Sequence, residues 1–163
     1  MDKSKRQAAR SQTRRARRER VAASEVSELV PISFMGRAVL VVEADPEVQA
    51  GLARNLSRRG NRVVGTGSGD GALALVSQWN VDLVLIADAL PGRNGVEVAR
   101  LVRKACPAAV VVLMADTLEP ATRVAARAAG ADDCVRKPLS EDQLSYLLRL
   151  RTSAPTDHGA VAQ

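Results

Sequence analysis

Three short apolar runs constrain the fold of this 163-residue chain more than any other feature. They are AVLVVEA at 38–44, VDLVLIA at 81–87 and AVVVLMA at 109–115. Each run is rich in β-branched residues and too short for a separate helix, which predicts parallel strands that are buried on both faces. Two weaker stretches, NRVVGTG at 61–67 and ADDCVRKP at 131–138, predict a second and a fifth strand.

Apolar residues recur at helical spacing between these predicted strands. The clearest set is Val48, Leu52 and Leu56, at i, i+4 and i+8. By the same spacing, further helices are predicted after Ser68, after the loop that ends at Gly95, and at 118–129 and 140–151. Strict alternation of five strands and five helices predicts an α/β fold, a doubly wound parallel sheet with helices on both faces. Any site is expected at the carboxyl ends of the strands.

The positive charge of the chain is concentrated at its amino terminus. Residues 1–20 hold nine Lys or Arg and two acidic side chains, a net charge of +7, whereas the whole chain has +6. The remaining residues therefore sum to −1. We predict a basic, disordered arm at 1–35, a folded domain at 36–151 and a flexible tail at 152–163.

The basic arm has three interpretations. Residues 3–20 could bind nucleic acid through its phosphates, with strong salt dependence. They could also be a solvated tail without a partner. In the third interpretation translation starts at Met35, directly before the first strand, and the arm is an artefact of the gene start.

Two further features limit the cellular setting. No run approaches the roughly 18 apolar residues of a membrane span, so we expect a cytoplasmic protein without membrane contact. Cys106 and Cys134 are too few for a disulfide framework and are predicted at opposite ends of the sheet, so both should be reduced.

Four motifs stand at the predicted carboxyl ends of the strands: VLVVEADPE, LIADALPGRNG, LMADT and CVRKPLS. In this order they resemble the receiver domain of bacterial response regulators, over residues 37–151. The resemblance implies the flavodoxin-like receiver fold and phosphorelay signalling in a two-component system. Because that family is mainly bacterial, it disfavours an organellar transit peptide as the explanation of the arm.

The resemblance also implies a phosphorylation pocket, most of which is changed here. The family places two adjacent acids for magnesium, an acceptor aspartate four residues before a loop proline, a hydroxyl and a lysine. The corresponding positions are Glu43 and Ala44, then Ala87, Met114 and Lys137. Only the lysine is intact, and the family implies a cis bond between it and Pro138. We therefore predict a pseudo-receiver with no catalytic residues, no cofactor, and magnesium binding that is lost or weak.

Nearby acids offer partial substitutes for the missing groups. Asp88 is an alternative acceptor, but a shift of one residue along a strand turns the carboxylate to the other face. Asp45 fits a helix cap better than a metal ligand. Lys137 is either a solvated loop lysine or the partner of Glu43, whose side chain could reach into the space that Ala87 leaves.

The resemblance implies a docking face on the fourth helix, fifth strand and fifth helix. Candidate contributors are Arg123, Arg127, Cys134, Gln143 and Tyr146, with Cys134 at the family's aromatic switch position. We predict phosphorylation-independent docking to a histidine kinase or a downstream regulator. The alternatives are a nucleic-acid-associated regulator that uses the arm and a phosphorylatable receiver that uses Asp88.

Overall fold

The computed structural model describes residues 36–151, so the predictions for the arm at 1–35 and the tail at 152–163 lie outside the described residues. One parallel sheet of five strands forms the centre, in the order β2-β1-β3-β4-β5. The strands are β1 Ala38–Val42, β2 Arg62–Thr66, β3 Leu83–Ala87, β4 Val110–Ala115 and β5 Asp133–Arg136. The helices are α1 Pro46–Arg58, α2 Gly69–Gln78, α3 Gly95–Ala105, α4 Pro120–Ala129 and α5 Glu141–Leu147. This confirms the predicted doubly wound sheet.

Alternate residues of the central strands bury two apolar layers. Every residue of β1, β3 and β4 is buried. One layer packs against α2 and α3 and includes Leu40, Ile86 and Leu113. The other packs against α1 and α5 and includes Val41, Leu85, Val112, Leu52 and Leu144. Because both faces are covered, polar side chains can gather only where the strands begin and end. We call these two ends of the sheet its amino edge and its carboxyl edge.

Two helix predictions need correction. The last helix ends at Leu147 instead of 151, because the N–H groups of Arg149 and Leu150 bond three residues back, to Tyr146 and Leu147, and the α-helical bonds stop there. Val48 was predicted on the buried face of the first helix, yet it is 37% exposed. Leu52 and Leu56, one and two turns later, are buried as predicted. The first turn of α1 therefore extends past the end of the sheet and does not pack against it.

Arg37 ties α5 to the amino edge of the sheet. Its Nη1 donates to the carbonyls of Leu148 at 3.1 Å and Leu150 at 2.7 Å, and its Nη2 donates to the carbonyl of Asp82 at 3.3 Å. Burial, and then repulsion by the nearby Arg151, lowers the pKa of the Arg37 guanidinium. The amino edge is thus crowded with positive charge.

Two further predictions concern the described residues only. Within 36–151, no helix has both the length and the apolar character that a membrane crossing requires. Cys106 and Cys134 are not bonded to each other in the described residues, and their reduced state stays a prediction.

Candidate functional site

Glu43, directly after β1, is the centre of the carboxyl edge of the sheet. It retains only 3% of its surface and is the sole buried polar or charged residue among residues 36–151. A buried carboxylate costs free energy unless it is paired and hydrogen-bonded. The partners of Glu43 therefore decide what this edge can do.

Every polar group of Glu43 has a partner. Its Oε2 lies 3.0 Å from the Nζ of Lys137, and its Oε1 accepts the backbone N–H of Asp45 at 2.9 Å. Its carbonyl accepts the side-chain amide of Gln49, and its own N–H donates to the carbonyl of Thr66, both at 2.9 Å. One residue thus connects β1, β2, α1 and the loop after β5.

The backbone of Lys137 is hydrogen-bonded to the neighbouring strand of the sheet. Its backbone N–H donates to the carbonyl of Ala115 at 2.8 Å, and the bond to Pro138 is cis, as the resemblance implied. Its side chain is 15% exposed. The ion pair with Glu43 confirms the second interpretation of this lysine, and the solvated alternative is wrong.

The positions of the expected acceptor and hydroxyl carry apolar side chains. Ala87 ends β3 and pairs with Met114 in the strand register. Both are fully buried in the layer that faces α1 and α5. Met114 is thus a core residue, whereas Ala115 ends the strand, and neither has a hydroxyl. Ala44, at the second acid position, is exposed and offers no oxygen from its side chain.

The backbone around Asp88 leaves no room for a shift in register. Its N–H donates to the carbonyl of Met114 at 2.8 Å, which continues the ladder from β3 to β4. Its carbonyl accepts the N–H of Gly95 at 2.7 Å, and a Cβ at Gly95 would lie 2.2 Å from the carbonyl oxygen of Ala87. This packing supports the prediction that no bulge re-aims Asp88. Within 36–151, the ion pair of Lys137 is with Glu43 and not with Asp88.

Asp45 caps α1, as predicted. Its carboxylate accepts the backbone N–H groups of Glu47 at 2.9 Å and Val48 at 3.3 Å. These are N–H groups that a helix start leaves without an intrahelical partner. The structure therefore gives Asp45 a role in helix stability.

The side chains at this edge do not fit a magnesium ion. Magnesium prefers six oxygen ligands in an octahedron. Both carboxylate oxygens of Glu43 are engaged, and Ala44 and Ala87 supply none. In the described part of the chain, no three His, Cys, Asp or Glu side chains are grouped as a metal site.

The structure brings together three of the five residues predicted for the docking face. Arg123, Arg127 and Cys134 line one cavity of about 60 Å³. Tyr146 is 48% exposed on α5. Gln143 caps the start of α5 instead, because its side chain accepts the N–H of Ser140 at 2.9 Å in a capping box. The sequence signal was present in Ser140-Glu-Asp-Gln143, where Ser and Gln stand three residues apart.

A second cavity, between α1 and α5, was not predicted. It has a volume of about 370 Å³, and its walls are mostly apolar. Lys137 and Asp116 supply the charged part of its lining, and the exposed Val48 lies at its wall. Residues far apart in sequence form this cavity, so the periodicity of any one helix could not have revealed it.

Cys134 should react slowly as a nucleophile. Burial, and then the charge of Asp133, raises the pKa of its thiol, while Arg123 and Arg127 act in the opposite direction. Because the thiolate is the reactive form, alkylation in the folded protein should rise at higher pH than in the unfolded chain. Rates of iodoacetamide labelling of a Cys106→Ser variant, measured by mass spectrometry from neutral to alkaline pH, check this. A midpoint at or below that of the unfolded chain would contradict it.

Comparison with known proteins agrees with this geometry. The family model of the response regulator receiver domain matches residues 39–149. The transcriptional regulatory protein KdpE of Mycobacterium tuberculosis is 36% identical over 115 residues, which cover 71% of this chain and 50% of that protein. The DNA-binding response regulator MtrA of Mycolicibacterium smegmatis is 34% identical over 126 residues, covering 77% and 55%. The chain thus spans about half the length of these relatives.

Solved structures show the same fold. A response regulator from Burkholderia pseudomallei, crystallised with a phosphorylated aspartic acid, calcium and citrate, has a TM-score of 0.66 and 25% identity, covering 69% of this chain and 66% of that one. The chemotaxis protein CheY4 of Vibrio cholerae has a TM-score of 0.65 and 20% identity, covering 68% and 94%. At that identity the second likeness concerns the fold alone. With the family match and the sheet order, it follows that this chain belongs to the response regulator receiver domain family of two-component signalling.

Proposed function

We propose that this receiver domain is a pseudo-receiver, which signals by docking to a protein partner and neither accepts nor transfers a phosphoryl group. The observation that carries the proposal is the buried ion pair between Glu43 and Lys137, together with the buried methyl group of Ala87 at the acceptor position. The lysine that would meet a phosphoryl group already has an internal carboxylate. The domain is then non-catalytic and needs no metal.

The hydrogen bonds and the ion pair of Glu43 support a single conformation of the loops at this edge. Glu43 holds the loop after β1 through Asp45 and Gln49, and Lys137 holds the loop after β5. A phosphorylation switch needs two states that the modification can bias. Here the contacts that would have to change are internal to the protein, so docking is constitutive.

The proposed docking face comprises Arg123, Arg127 and Tyr146, with Cys134, which lines the same small cavity as the two arginines. Arg and Tyr are enriched among residues that dominate protein interfaces. Neither arginine forms an ion pair with another residue in 36–151. A histidine kinase or a downstream regulator with an acidic docking surface is the kind of partner that suits this face.

Treatment with acetyl phosphate and magnesium should leave the mass of the wild-type protein unchanged. The reason is that Ala87 has no nucleophilic oxygen and that Asp88 is fixed in the strand ladder. Intact-mass spectrometry checks this, with a receiver of known activity as the positive control. A phosphoryl adduct that Asp88→Asn abolishes would show that the acceptor has shifted by one residue and would overturn the proposal.

The affinity of docking should depend on the charge of the docking face and not on treatment with a phosphodonor. Once a partner is identified by cross-linking in native cells, its Kd should be the same before and after acetyl phosphate treatment. Arg123→Glu with Arg127→Glu should weaken binding by roughly tenfold, the effect of losing about 1.4 kcal/mol. The matched control is Arg100→Glu with Lys104→Glu, an exposed pair at the same spacing on α3. Equal losses in both variants would contradict the proposed face.

A further inference from the structure

Five arginines surround the amino edge of the sheet, opposite the degenerate pocket. Arg37 precedes β1, Arg58 ends α1 and Arg62 begins β2, while Arg149 and Arg151 follow α5. We call this set the amino-edge patch. All of its members except the half-buried Arg37 are exposed.

Backbone contacts place these residues around Arg37. Its carbonyl accepts the N–H of Arg62 at 3.0 Å, and its guanidinium binds the carbonyls of Leu148 and Leu150, on either side of Arg149. Its own N–H donates to the side chain of Asn61, whose amide in turn binds the end of α1. The chain segments that carry all five arginines therefore meet at one edge.

Little negative charge offsets the patch. None of its five arginines forms an ion pair with a residue of the described region. The acid beside Arg37 is Asp82, whose carboxylate accepts the N–H of Ala38 at 2.8 Å. The acids of the loops after the strands lie at the opposite edge and include Asp45, Asp88, Asp116 and Glu119, and Glu47 stands there in the first turn of α1. Acids are thus more numerous at the opposite edge, although Asp82, Asp132 and Asp133 lie at the amino edge and residues 36–151 carry 15 basic and 13 acidic side chains.

The composition of the patch indicates the class of partner. A protein interface normally has apolar or aromatic anchors at its centre. The exposed large hydrophobic residues of 36–151 are Val48, Val124 and Tyr146, and only Tyr146 is near the end of α5. The guanidinium of Arg62 lies over the ring of Trp79, 5.6 Å from its centroid, and the patch otherwise offers guanidinium groups without an apolar centre. Guanidinium pairs well with phosphate, and a phosphodiester backbone needs no apolar contact.

We infer that the amino-edge patch binds the phosphate backbone of duplex nucleic acid without sequence preference. Recognition of single strands commonly uses aromatic side chains as stacking platforms, and this chain has only three aromatic residues, which favours a duplex. An anionic membrane offers the same phosphate chemistry, but the aromatic ring beside the patch, that of Trp79, is partly buried beneath Arg62 and is not free to insert. Binding at this edge leaves the proposed docking face on α4 and α5 available.

The test compares the full chain with two variants that lose the same charge. Arg58→Gln with Arg149→Gln removes two patch arginines and spares Arg37, which has a structural role. Arg100→Gln with Arg136→Gln removes two exposed arginines elsewhere. All three proteins keep residues 1–35, so any contribution of the basic arm is constant. Fluorescence anisotropy with a random-sequence DNA duplex over a salt series gives Kd and its salt dependence.

The patch variant should bind roughly tenfold more weakly than wild type at low salt, and its slope of log Kd against log salt should fall by about 2, since each lost phosphate contact lowers it by about 0.9. The control variant should match the wild type. Equal behaviour of the two variants, or no binding by the wild type at low salt, would overturn the inference. Binding to phosphatidylglycerol vesicles that the patch variant loses, without such a loss on DNA, would also overturn it in favour of a membrane.

Discussion

Glu43→Gln should lower the free energy of unfolding by about 2–3 kcal/mol, because it leaves the ammonium of Lys137 without its carboxylate. Removing one partner of a fully buried pair costs about 3–5 kcal/mol, and the 15% exposure of Lys137 places this pair below that range. Gln keeps the shape of Glu and can still accept the N–H of Asp45, so the loss concerns charge. Urea unfolding followed by circular dichroism measures it.

Two further variants test whether the loss of stability comes from the ion pair of Glu43 and Lys137. Glu47→Gln removes an exposed carboxylate four residues away and should change stability by no more than about 0.5 kcal/mol. Glu43→Gln with Lys137→Met should be more stable than Glu43→Gln alone, because no charge then remains buried. If Glu43→Gln and Glu47→Gln had equal effects, the pair would not stabilise the fold.

Restoring the missing groups should create a phosphorylation site where the wild type has none. Ala44→Asp and Ala87→Asp supply the carboxylates, and a threonine supplies the hydroxyl, on a scaffold that already holds Lys137. The variant with all three changes should gain a labile phosphoryl group from acetyl phosphate and magnesium, detected by intact mass. Ala87→Asp alone should gain little, because no metal would offset the charge of the incoming phosphoryl group.

The position of the threonine is a useful comparison within this experiment. Met114 is fully buried in the apolar layer, so Met114→Thr removes core volume and buries a hydroxyl, at a cost of about 2 kcal/mol or more. Ala115 ends β4, and its carbonyl binds the backbone of Lys137. Ala115→Thr is the matched control: the side chain at 115 alternates to the sheet face opposite Ala87 and Met114, so this version should gain no phosphoryl group. Failure of the Met114→Thr version while it remains folded, or success of the Ala115→Thr version, would mean that the assigned acceptor and hydroxyl positions are wrong.

Local sequence patterns predicted the parts of the structure that depend on local rules. The buried runs gave the strands, because parallel strands covered on both faces need continuous apolar residues. Asp45 before Pro46 predicted a helix cap, and the spacing of LPG predicted a site without a bulge. The family resemblance, combined with side-chain length, offered the pair of Glu43 and Lys137 as one of two interpretations of that lysine.

Contacts between distant segments escaped prediction. Val48 obeys the period of its helix but extends past the sheet that would cover it. The amino-edge patch joins residues from both ends of the domain, and no sequence period links Arg37 to Arg149. The place of Gln143 in the fold favours docking, whereas the capping signal of Ser140 and Gln143 describes its contact in the structure.

The saturated hydrogen bonding of Glu43 also bears on the evolution of this chain. A return from Ala87 to Asp would bring a second carboxylate into a fully buried position near a lysine that already has a partner. That first step would cost stability and restore no phosphorylation, since Ala44 would still lack an oxygen. Several substitutions would have to accumulate before selection on signalling could favour any of them. In the proposed pseudo-receiver, the pair of Glu43 and Lys137 thus makes a stepwise gain of phosphorylation costly, because the first substitution lowers stability and adds no activity.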